Sequence, residues 1–459
     1  MKKRISLLLL CAMLFGCLPG CAVNRPGKAP TETVKLTVSG WPKESDKEQW
    51  EYWNKLRDHF MALNPDIEII PGEMSFDAKT YMLLAATGQI STLYSTYYTE
   101  VDRIIAAGFT KDVTEIAKER GWYDAYNDRT REITFRNDRM HVIPVSCYSV
   151  ALQINKNVFE AAGLVNEDGT CMIPETYEEV VEFSKIIREK TGAYGFMIGN
   201  SGWYFVNIAW SFGTSFMKQV DGKWQAAFDS PQCAAALQWL KDLKYEHGLL
   251  PYSEGSTTSD TDALFANNQL GMMFGVPTEQ KFLYSTDFSK DDVIYAAVPE
   301  GPGGRVAQMG GLIYAIDRNA TDEQVEAAFR WLEFLGLGPT LSEAAKISIN
   351  EKYDTVLAKN GLVGLTGPTV WKEDTQALQY IKYINQEKRN VDSRNYMHYE
   401  TVPFDAHPED PVNFQALYTV LGECIKKTLI SPNSDPAEIL EEAAIKFQKE
   451  YLNEINYQS

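Results

Sequence analysis

The segment "VKLTVSGWPKESDKEQWEYWNKLRDHFMALNPDIEII", from Val34 to Ile70, indicates the fold class of this chain. Its first residues alternate apolar and polar side chains and end in a Gly-Trp-Pro turn, which predicts a β-strand. Apolar residues then recur at helical spacing until Asn64 and Pro65 end the pattern, and "DIEII" predicts a second strand. A strand, a helix and a strand in this order are typical of a parallel sheet covered by helices.

The alternation of strands and helices continues along the chain. "AKTYMLLAATG" predicts a helix ended by Gly88, and "ISTLYSTYYTEV", residues 90–101, predicts a third strand followed by a loop. "MHVIPVSCYSVALQINKNVFEAAGL" predicts two strands divided at residues 146–148, then a helix ended by Gly163. A chain of 459 residues is long enough for two or three domains, yet no linker rich in Pro, Gly or Ser separates them. These features predict an α/β protein with lobes joined by crossover strands.

The first residues are typical of a secretion signal that carries a lipid-attachment site. A basic start precedes an apolar run that is too short to span a bilayer, and the run ends in "LFGCLPGC". This ending resembles the processing site of bacterial lipoproteins, which implies a signal peptide over residues 1–20 and lipidation of Cys21 rather than Cys17. A plain secretory signal is the alternative. Residues 21–33 are expected to be a tether, so the protein should be extracytoplasmic and lipid-anchored to the outer face of the cell membrane.

Charge and composition exclude several classes of function. The formal net charge is −18, and loss of the signal with its three basic residues makes it more negative, so nucleic acid is not an expected partner. No two of the five histidines have the spacing of metal ligands, and we expect neither a metal nor a cofactor. The patterns of a phosphate-binding loop and of a nucleophile elbow are absent from the sequence, so no catalytic residue is predicted.

Aromatic residues are frequent at predicted strand ends and in predicted loops, where a helical stripe does not explain them: Trp41, Tyr94, Tyr97, Tyr98, Tyr148, Trp203, Tyr204, Trp210 and Trp371. Ligand sites of open α/β sheets lie at the carboxyl ends of the strands, where these rings would come together. A pyranose has an apolar face that packs on an aromatic ring and a rim of hydroxyls that binds polar groups. The composition therefore favours a sugar site, with local packing as the alternative for any single ring.

Several segments in a fixed order, behind the lipoprotein signal, resemble a known family. They are "KLTVSGW", "NPDIEI", "VIPVSCYSVALQINKNVFEAAGL", "PETYEEVVEFSKII", "LFANNQLGMMFGVP" and "AAVPEGPGGRVAQMGGLIYAI". From about Val34 to Leu335 the chain resembles an extracellular solute-binding protein of an ATP-binding-cassette (ABC) importer, in the carbohydrate-binding, maltose-binding-protein-like family. The resemblance implies a two-lobe α/β fold of the periplasmic-binding-protein type. Each lobe would be a mainly parallel sheet flanked by helices, and the lobes would close over a sugar in the cleft between them.

The resemblance also implies a set of ligand-binding residues. They are Trp41, Tyr97, Thr99, Glu100, Tyr148, Trp203, Tyr204, Thr278, Gly310, Gly311 and Trp371. Thr278 stands in "GVPTEQ", where maltose-type relatives have Trp, so the aromatic platform of that lobe is expected from Trp203 and Tyr204. Gly310 and Gly311 are expected to let the backbone approach the ligand closely.

The resemblance further implies the division of the chain and its partners. Residues 34–149 and 297–336 would form the N-terminal lobe, and residues 150–296 and 337–459 the C-terminal lobe. The expected partners are a mono- or oligosaccharide, the permease subunits of an ABC transporter and, through the lipid anchor only, the membrane. We expect a monomeric, non-catalytic carbohydrate receptor. The alternatives are a secreted glycoside hydrolase, since aromatic clefts and abundant acids suit both, and a receptor of the same fold for a peptide or polyamine.

Overall fold

The computed structural model describes residues 33–72, 75–77, 80–251, 253, 255–277, 283 and 288–456. The predicted signal, Cys17, Cys21 and Thr278 lie outside the described residues. The strands are β1 (Val34–Val38), β2 (Ile67–Pro71), β3 (Leu93–Tyr97), β4 (Ile143–Ser149), β5 (Ala151–Asn155), β6 (Tyr194–Met197), β7 (Met217–Val220), β8 (Lys223–Ala226), β9 (Leu270–Gly275), β10 (Val293–Ala296), β11 (Val306–Ile316) and β12 (Asp405–Pro408).

The helices connect and cover these strands. The α-helices are α1 (Lys47–Leu63), α2 (Tyr81–Ala86), α3 (Val101–Ala106), α4 (Thr114–Glu119), α5 (Trp122–Ala125), α6 (Asp128–Thr134), α7 (Lys156–Ala162), α8 (Tyr177–Thr191), α9 (Gly202–Ser211), α10 (Pro231–Tyr245), α11 (Thr258–Ala266), α12 (Asp322–Phe334), α13 (Glu343–Ala358), α14 (Gln376–Glu387), α15 (Met397–Thr401), α16 (Phe414–Ile430), α17 (Pro436–Phe447) and α18 (Asn453–Asn456). Short 3₁₀ turns cover Tyr98–Glu100, Lys290–Asp292 and Ser393–Asn395, and a π-helical turn covers Gln448–Leu452.

Two sheets organise the described part of the chain. The first has the order β12-β11-β3-β1-β2, and β4 also pairs with β11. The second has the order β10-β5-β9-β6, while β7 and β8 form a separate hairpin. The prediction of an α/β fold is confirmed, but both sheets are mixed rather than mainly parallel. In the first sheet β11 is antiparallel to β3 and β4. In the second sheet β5 is antiparallel to both of its neighbours, β10 and β9.

Local sequence signals account for several helix boundaries. The Asp46 side chain accepts a hydrogen bond from the Gln49 backbone N–H at 3.4 Å and begins α1, which ends just before Pro65. At α12 the Thr321 and Gln324 side chains form the capping box that their spacing predicts. The apolar stripe of α12 is buried, as an amphipathic helix against a sheet requires.

Separate apolar cores hold the two sheets. One core joins β1, α1 and α12 and also takes in Leu341, Val370, Trp371 and Leu378 from the segment after residue 337. The core of the second sheet contains Leu362 and most of the apolar residues from 391 to the described end of the chain. The residues after 337 therefore contribute to both cores. The residue boundaries expected for the two lobes stay a prediction.

Two local predictions were wrong. The strands around residues 146–148 are divided at Val150 instead, because residues 146–149 pair with β11 and continue β4. The aromatic segment "NSGWYFVNIAW" is helical rather than a loop: the Ser201 hydroxyl accepts a hydrogen bond from the Tyr204 backbone N–H at 3.3 Å and begins α9. Trp210 is therefore a buried core residue of this helix.

Candidate functional site

Two glycines of β11 lie under tyrosine side chains. Gly310 pairs with Tyr148 of β4, and a Cβ atom at Gly310 would lie within 3.0 Å of the Tyr148 phenol. A Cβ atom at Gly311 would come equally close to the Tyr98 ring and to the Ser146 carbonyl oxygen. The space expected for a ligand above these glycines is thus occupied by tyrosines. Because Gly310 has no side chain, the Tyr148 ring can lie directly on the sheet.

An aromatic group forms where β4 meets the first turn of α9. The ring centroids of Tyr148 and Trp203 are 6.2 Å apart, and those of Trp203 and Tyr204 are 4.9 Å apart. All three side chains are half-buried, so part of each ring faces solvent. Gly202 lies against the Tyr418 carbonyl oxygen, where no Cβ atom would fit, so α9 packs closely on α16. The structure thus brings Tyr148, Trp203 and Tyr204 together.

Tyr97 lies on the side of β11 that is opposite to β4. It is the last residue of β3, pairs with Leu312 and has 43% of its surface exposed. The Phe76 ring meets it edge-on, with the centroids 6.1 Å apart. An exposed ring at the carboxyl end of a parallel strand has the position of a binding residue.

Thr99 and Glu100 lie behind Tyr97 and are fully buried. The Glu100 carboxylate accepts a hydrogen bond from the Arg103 guanidinium at 3.1 Å, and Gln415 of α16 donates one to the Thr99 hydroxyl at 3.3 Å. Burial raises the pKa of Glu100, although the charge of Arg103 and its hydrogen bond oppose this rise. Thr99 thus links the turn after β3 to α16, and Glu100 pairs with Arg103, so neither presents its polar group to solvent.

A buried polar cluster lies beneath the rings. The Gln308 side-chain amide donates hydrogen bonds to the Glu409 carboxyl and to the Tyr418 hydroxyl, both at 2.9 Å. The Tyr418 hydroxyl in turn donates a short hydrogen bond to Glu409. The Asn207 side-chain oxygen accepts a hydrogen bond from the Gln308 backbone N–H at 2.7 Å and links this cluster to α9. No sequence pattern reveals this cluster, because its members come from distant parts of the chain.

A cavity of about 650 Å³ lies next to Tyr148, a volume within the usual range for small-molecule sites. The Ser149 and Tyr399 hydroxyls, 2.7 Å apart, share a hydrogen bond at its wall. Its lining consists of residues 145–149, 276–277 and 362–371 with Lys352, Tyr353, Val356, Glu373, Leu378, Ile381, Lys382, Asn385 and Tyr399. Of the predicted binding residues, Tyr148 and Trp371 line this cavity. The Gly- and Pro-rich stretch "GLVGLTGPTVW" is the sequence signal that could have identified its wall.

Trp41 and Trp371 are mainly packing residues. Trp41 is 6% exposed, stacks on Trp331 with the centroids 6.3 Å apart and meets Trp53 edge-on at 5.3 Å. Trp371 is 5% exposed and stacks on Tyr126 at 4.8 Å, with only its edge at the cavity. The structure does not bring Trp41 together with the aromatic group of Tyr148, Trp203 and Tyr204.

A profile of bacterial extracellular solute-binding proteins matches residues 46–337, nearly two thirds of the 459 residues. The chain belongs to this family. Members are extracytoplasmic receptors rather than enzymes, so this solute-binding protein is non-catalytic and the glycoside hydrolase alternative is wrong. In the part of the chain that is described, no helix is long and apolar enough to cross a membrane, and no group of three metal-ligating side chains occurs.

Similar proteins are distant in sequence. The diacetylchitobiose-binding protein DasA of Streptomyces coelicolor is 22% identical over 273 residues, and the match spans 58% of each chain. A putative binding protein of Brucella abortus is 21% identical over 312 residues, 66% of this chain and 71% of that protein. The whole length of DasA is thus matched only in part by this solute-binding protein.

Solved structures share the fold over most of the chain. MalE3 of T. maritima with bound maltose has 22% identity and a TM-score of 0.64, and the match covers 91% of this chain and all of MalE3. Lmo0181 of Listeria monocytogenes, in complex with cycloalternan, has 17% identity and a TM-score of 0.65, covering 91% of this chain and 98% of its own. The solute-binding protein therefore has the two-lobe fold of sugar-binding ABC substrate-binding proteins.

Proposed function

We propose that this solute-binding protein captures a saccharide outside the cell membrane and delivers it to the permease of an ABC importer. The observation that carries the proposal is the group of half-buried rings of Tyr148, Trp203 and Tyr204 beside a cavity of about 650 Å³. Stacking on such rings suits the apolar face of a sugar, and the polar lining suits its hydroxyls. The sugar ligands of structurally similar receptors support the same reading.

Tyr97, Tyr148, Trp203 and Tyr204 are the proposed stacking residues. Thr99, Glu100, Gly310 and Gly311 would act indirectly, because all four are buried. Gly310 lies against the Tyr148 ring and Gly311 against the Tyr98 ring. Contacts of the bound sugar with Trp41, Thr278 and Trp371 stay predictions from the resemblance.

The location of the receptor is the second part of the proposal. Cys21, or less preferably Cys17, would carry a lipid that holds the protein on the outer face of the cell membrane, with residues 21–33 as a tether. The mature protein would act as a monomer, as suits a receptor whose cleft must meet a permease.

Isothermal titration calorimetry of the purified mature chain tests the binding activity, with a panel of neutral and acidic mono- and oligosaccharides, peptides and polyamines. We expect binding of at least one saccharide, lost or strongly reduced in Trp203→Ala. Tyr383→Ala is the matched control, because Tyr383 is an aromatic residue with 55% exposure on the surface of α14. Binding of a peptide or polyamine only would contradict the sugar assignment. The absence of binding to every compound of the panel would contradict it as well.

Cell fractionation tests the anchor. The wild-type protein should be found with the membrane and should incorporate a labelled fatty acid, while Cys21→Ala should lose both properties and Cys17→Ala should keep them. Uptake of the labelled ligand by cells, with and without the receptor gene, tests delivery to a permease. Normal uptake without the receptor would contradict the transport role.

A further inference from the structure

The net charge of the side chains that line the cavity is opposite in sign to the net charge of the whole protein. The whole chain has a formal net charge of −18. The lining, in contrast, carries Lys352 and Lys382 against one carboxylate, Glu373. Low-dielectric walls focus the field of such charges inside a cleft. An excess of positive charge within a strongly acidic protein points to a ligand that is itself negative.

Lys352 carries this excess charge. Lys382 forms an ion pair with Glu373, so the charges of these two residues compensate each other. No hydrogen bond or ion pair to Lys352 occurs within the residues that the structure describes. The adjacent Glu351 faces Lys55, at 3.7 Å, and does not supply a partner.

The other lysines within α13 and α14, and those that directly follow these helices, have acidic partners. Lys346 pairs with Glu343 at 2.7 Å, and Lys359, which caps the end of α13, pairs with Glu48 at 2.6 Å. Lys388, just after α14, pairs with Asp354. Lys352 is thus distinguished from its neighbours on the same two helices by facing the cavity without a counter-ion in the described part of the chain.

The surroundings of Lys352 make a counter-ion favourable. Solvent reaches its side chain, yet the protein around the cavity removes part of the water near the ammonium group and lowers the pKa of Lys352. An ammonium group that faces a cavity, with no counter-ion in the described part of the chain, is free to pair with an anion from solution.

We propose that the cavity takes an anionic saccharide with a single carboxylate, a uronic acid or an oligosaccharide that ends in one, and that Lys352 is its counter-ion. This proposal rests on the proposed function, since it specifies the class of sugar that the receptor carries. A carboxylate fits better than a phosphate. Phosphate sites commonly use the paired donors of arginine or the N-terminus of a helix. The described lining contains no arginine, and Lys352 lies in the second half of α13.

Calorimetry with three matched sets of probes tests the proposal: uronic-acid mono- to trisaccharides, their neutral hexose counterparts and hexose 6-phosphates. At least one uronate should bind about tenfold or more tightly than its neutral counterpart, the effect of one charge-assisted hydrogen bond. Lys352→Met should remove most of this preference and leave the affinity for neutral sugars within about twofold. Lys352→Arg should keep the preference, and Lys346→Met is the control on the same helix.

Three results would overturn the proposal while the sugar-receptor function stands: equal affinity for uronates and neutral sugars, a preference for the phosphates, or a uronate preference that survives Lys352→Met. Absence of binding to every saccharide would remove the sugar function itself, and the anionic specificity with it. Thermal unfolding of the unliganded variants checks the folding of each chain. Because Lys352 has no partner among the described residues, Lys352→Met should unfold at the wild-type temperature or above it.

Discussion

Replacement of Glu409 by Gln removes an ionisable group from the buried cluster beneath the aromatic rings. The Glu409 carboxyl is 4% exposed and accepts hydrogen bonds from Gln308 and Tyr418. Burial raises the pKa of Glu409 from 4.5 to about 7, against the opposing effect of these two hydrogen bonds, and the nearby Glu100 carboxyl adds to the rise. Near neutral pH the folded protein therefore holds a carboxyl whose ionised form is disfavoured.

The size of this effect follows from the pKa values of the folded and unfolded states. A tenfold change in proton affinity corresponds to about 1.4 kcal/mol, so ionisation of Glu409 lowers the free energy of unfolding by about 3 kcal/mol. Because the folded state has the higher pKa, the protonated carboxyl contributes its full stability below about pH 4.5. This contribution is lost as the pH rises through about 7.

Glutamine avoids the ionisation and retains the shape of the side chain. Its amide N–H groups also gain an acceptor in the Gln308 side-chain oxygen, which is buried without a hydrogen-bond partner among the described residues. We expect Glu409→Gln to exceed the wild type in free energy of unfolding by up to about 3 kcal/mol near pH 8.5 and by clearly less near pH 5. Asp410, whose pKa burial also raises to about 7, should preserve part of the pH dependence in the variant.

Urea unfolding of both proteins at the two pH values measures this difference. Glu423→Gln, an exposed position on α16, is the control and should leave the pH dependence of the wild type unchanged. The experiment needs coincident transitions from two spectroscopic probes, because two lobes can unfold separately. The same pH dependence in the wild type and Glu409→Gln would refute the reasoning. A variant less stable than the wild type at both pH values would show that the native cluster favours the carboxylate.

Three further substitutions separate binding from packing. Tyr97→Ala should weaken saccharide affinity about tenfold in calorimetry with little change in the unfolding temperature, because 43% of this residue is exposed. An equal loss of both would place it in the core. Trp41→Ala should lower the free energy of urea unfolding by about 3–5 kcal/mol and leave affinity unchanged, since the ring packs on two other tryptophans. Gly310→Ala should reduce both stability and affinity, because the added Cβ would displace the Tyr148 ring. Thermal unfolding measures the first effect and calorimetry the second, and a wild-type value for either would contradict this packing.

The elements that the sequence predicted correctly are those with local causes. The alternation in β1, the helical spacing in α1 and the capping box of Thr321 and Gln324 all depend on residues a few positions apart. The prediction for the segment around Trp203 was wrong although the cause of its structure is also local. Its abundance of aromatic residues concealed a helix whose start, Ser201 followed by Gly202, is a local signal that could have been recognised.

The polar groups of the site could not be predicted in this way, because tertiary contacts create them. Gln308 and Glu409 are 101 positions apart and become partners only when β11 and the segment after β12 meet. The sequence equally does not show that Lys352 has no ion-pair partner in the described part of the chain, because Glu351 is adjacent to it but faces Lys55. Burial and pairing of charges, which decide both pKa values and ligand preference, follow from the fold and not from spacing.

The part of the chain that identifies the family is not the part that supplies the charges of the cavity. The family match ends at residue 337, whereas Lys352, Glu373 and Lys382 all follow it. The matched part supplies most strands of both sheets, β1 and β12 excepted, and positions Tyr148 and Trp203, which suit the apolar face of almost any sugar. Discrimination between sugars requires polar and charged groups, since an unpaired buried group rejects the wrong ligand more strongly than an apolar surface does. Similar receptors therefore indicate the general class of ligand, whereas the charged residues that follow residue 337, Lys352 among them, decide which member of that class binds.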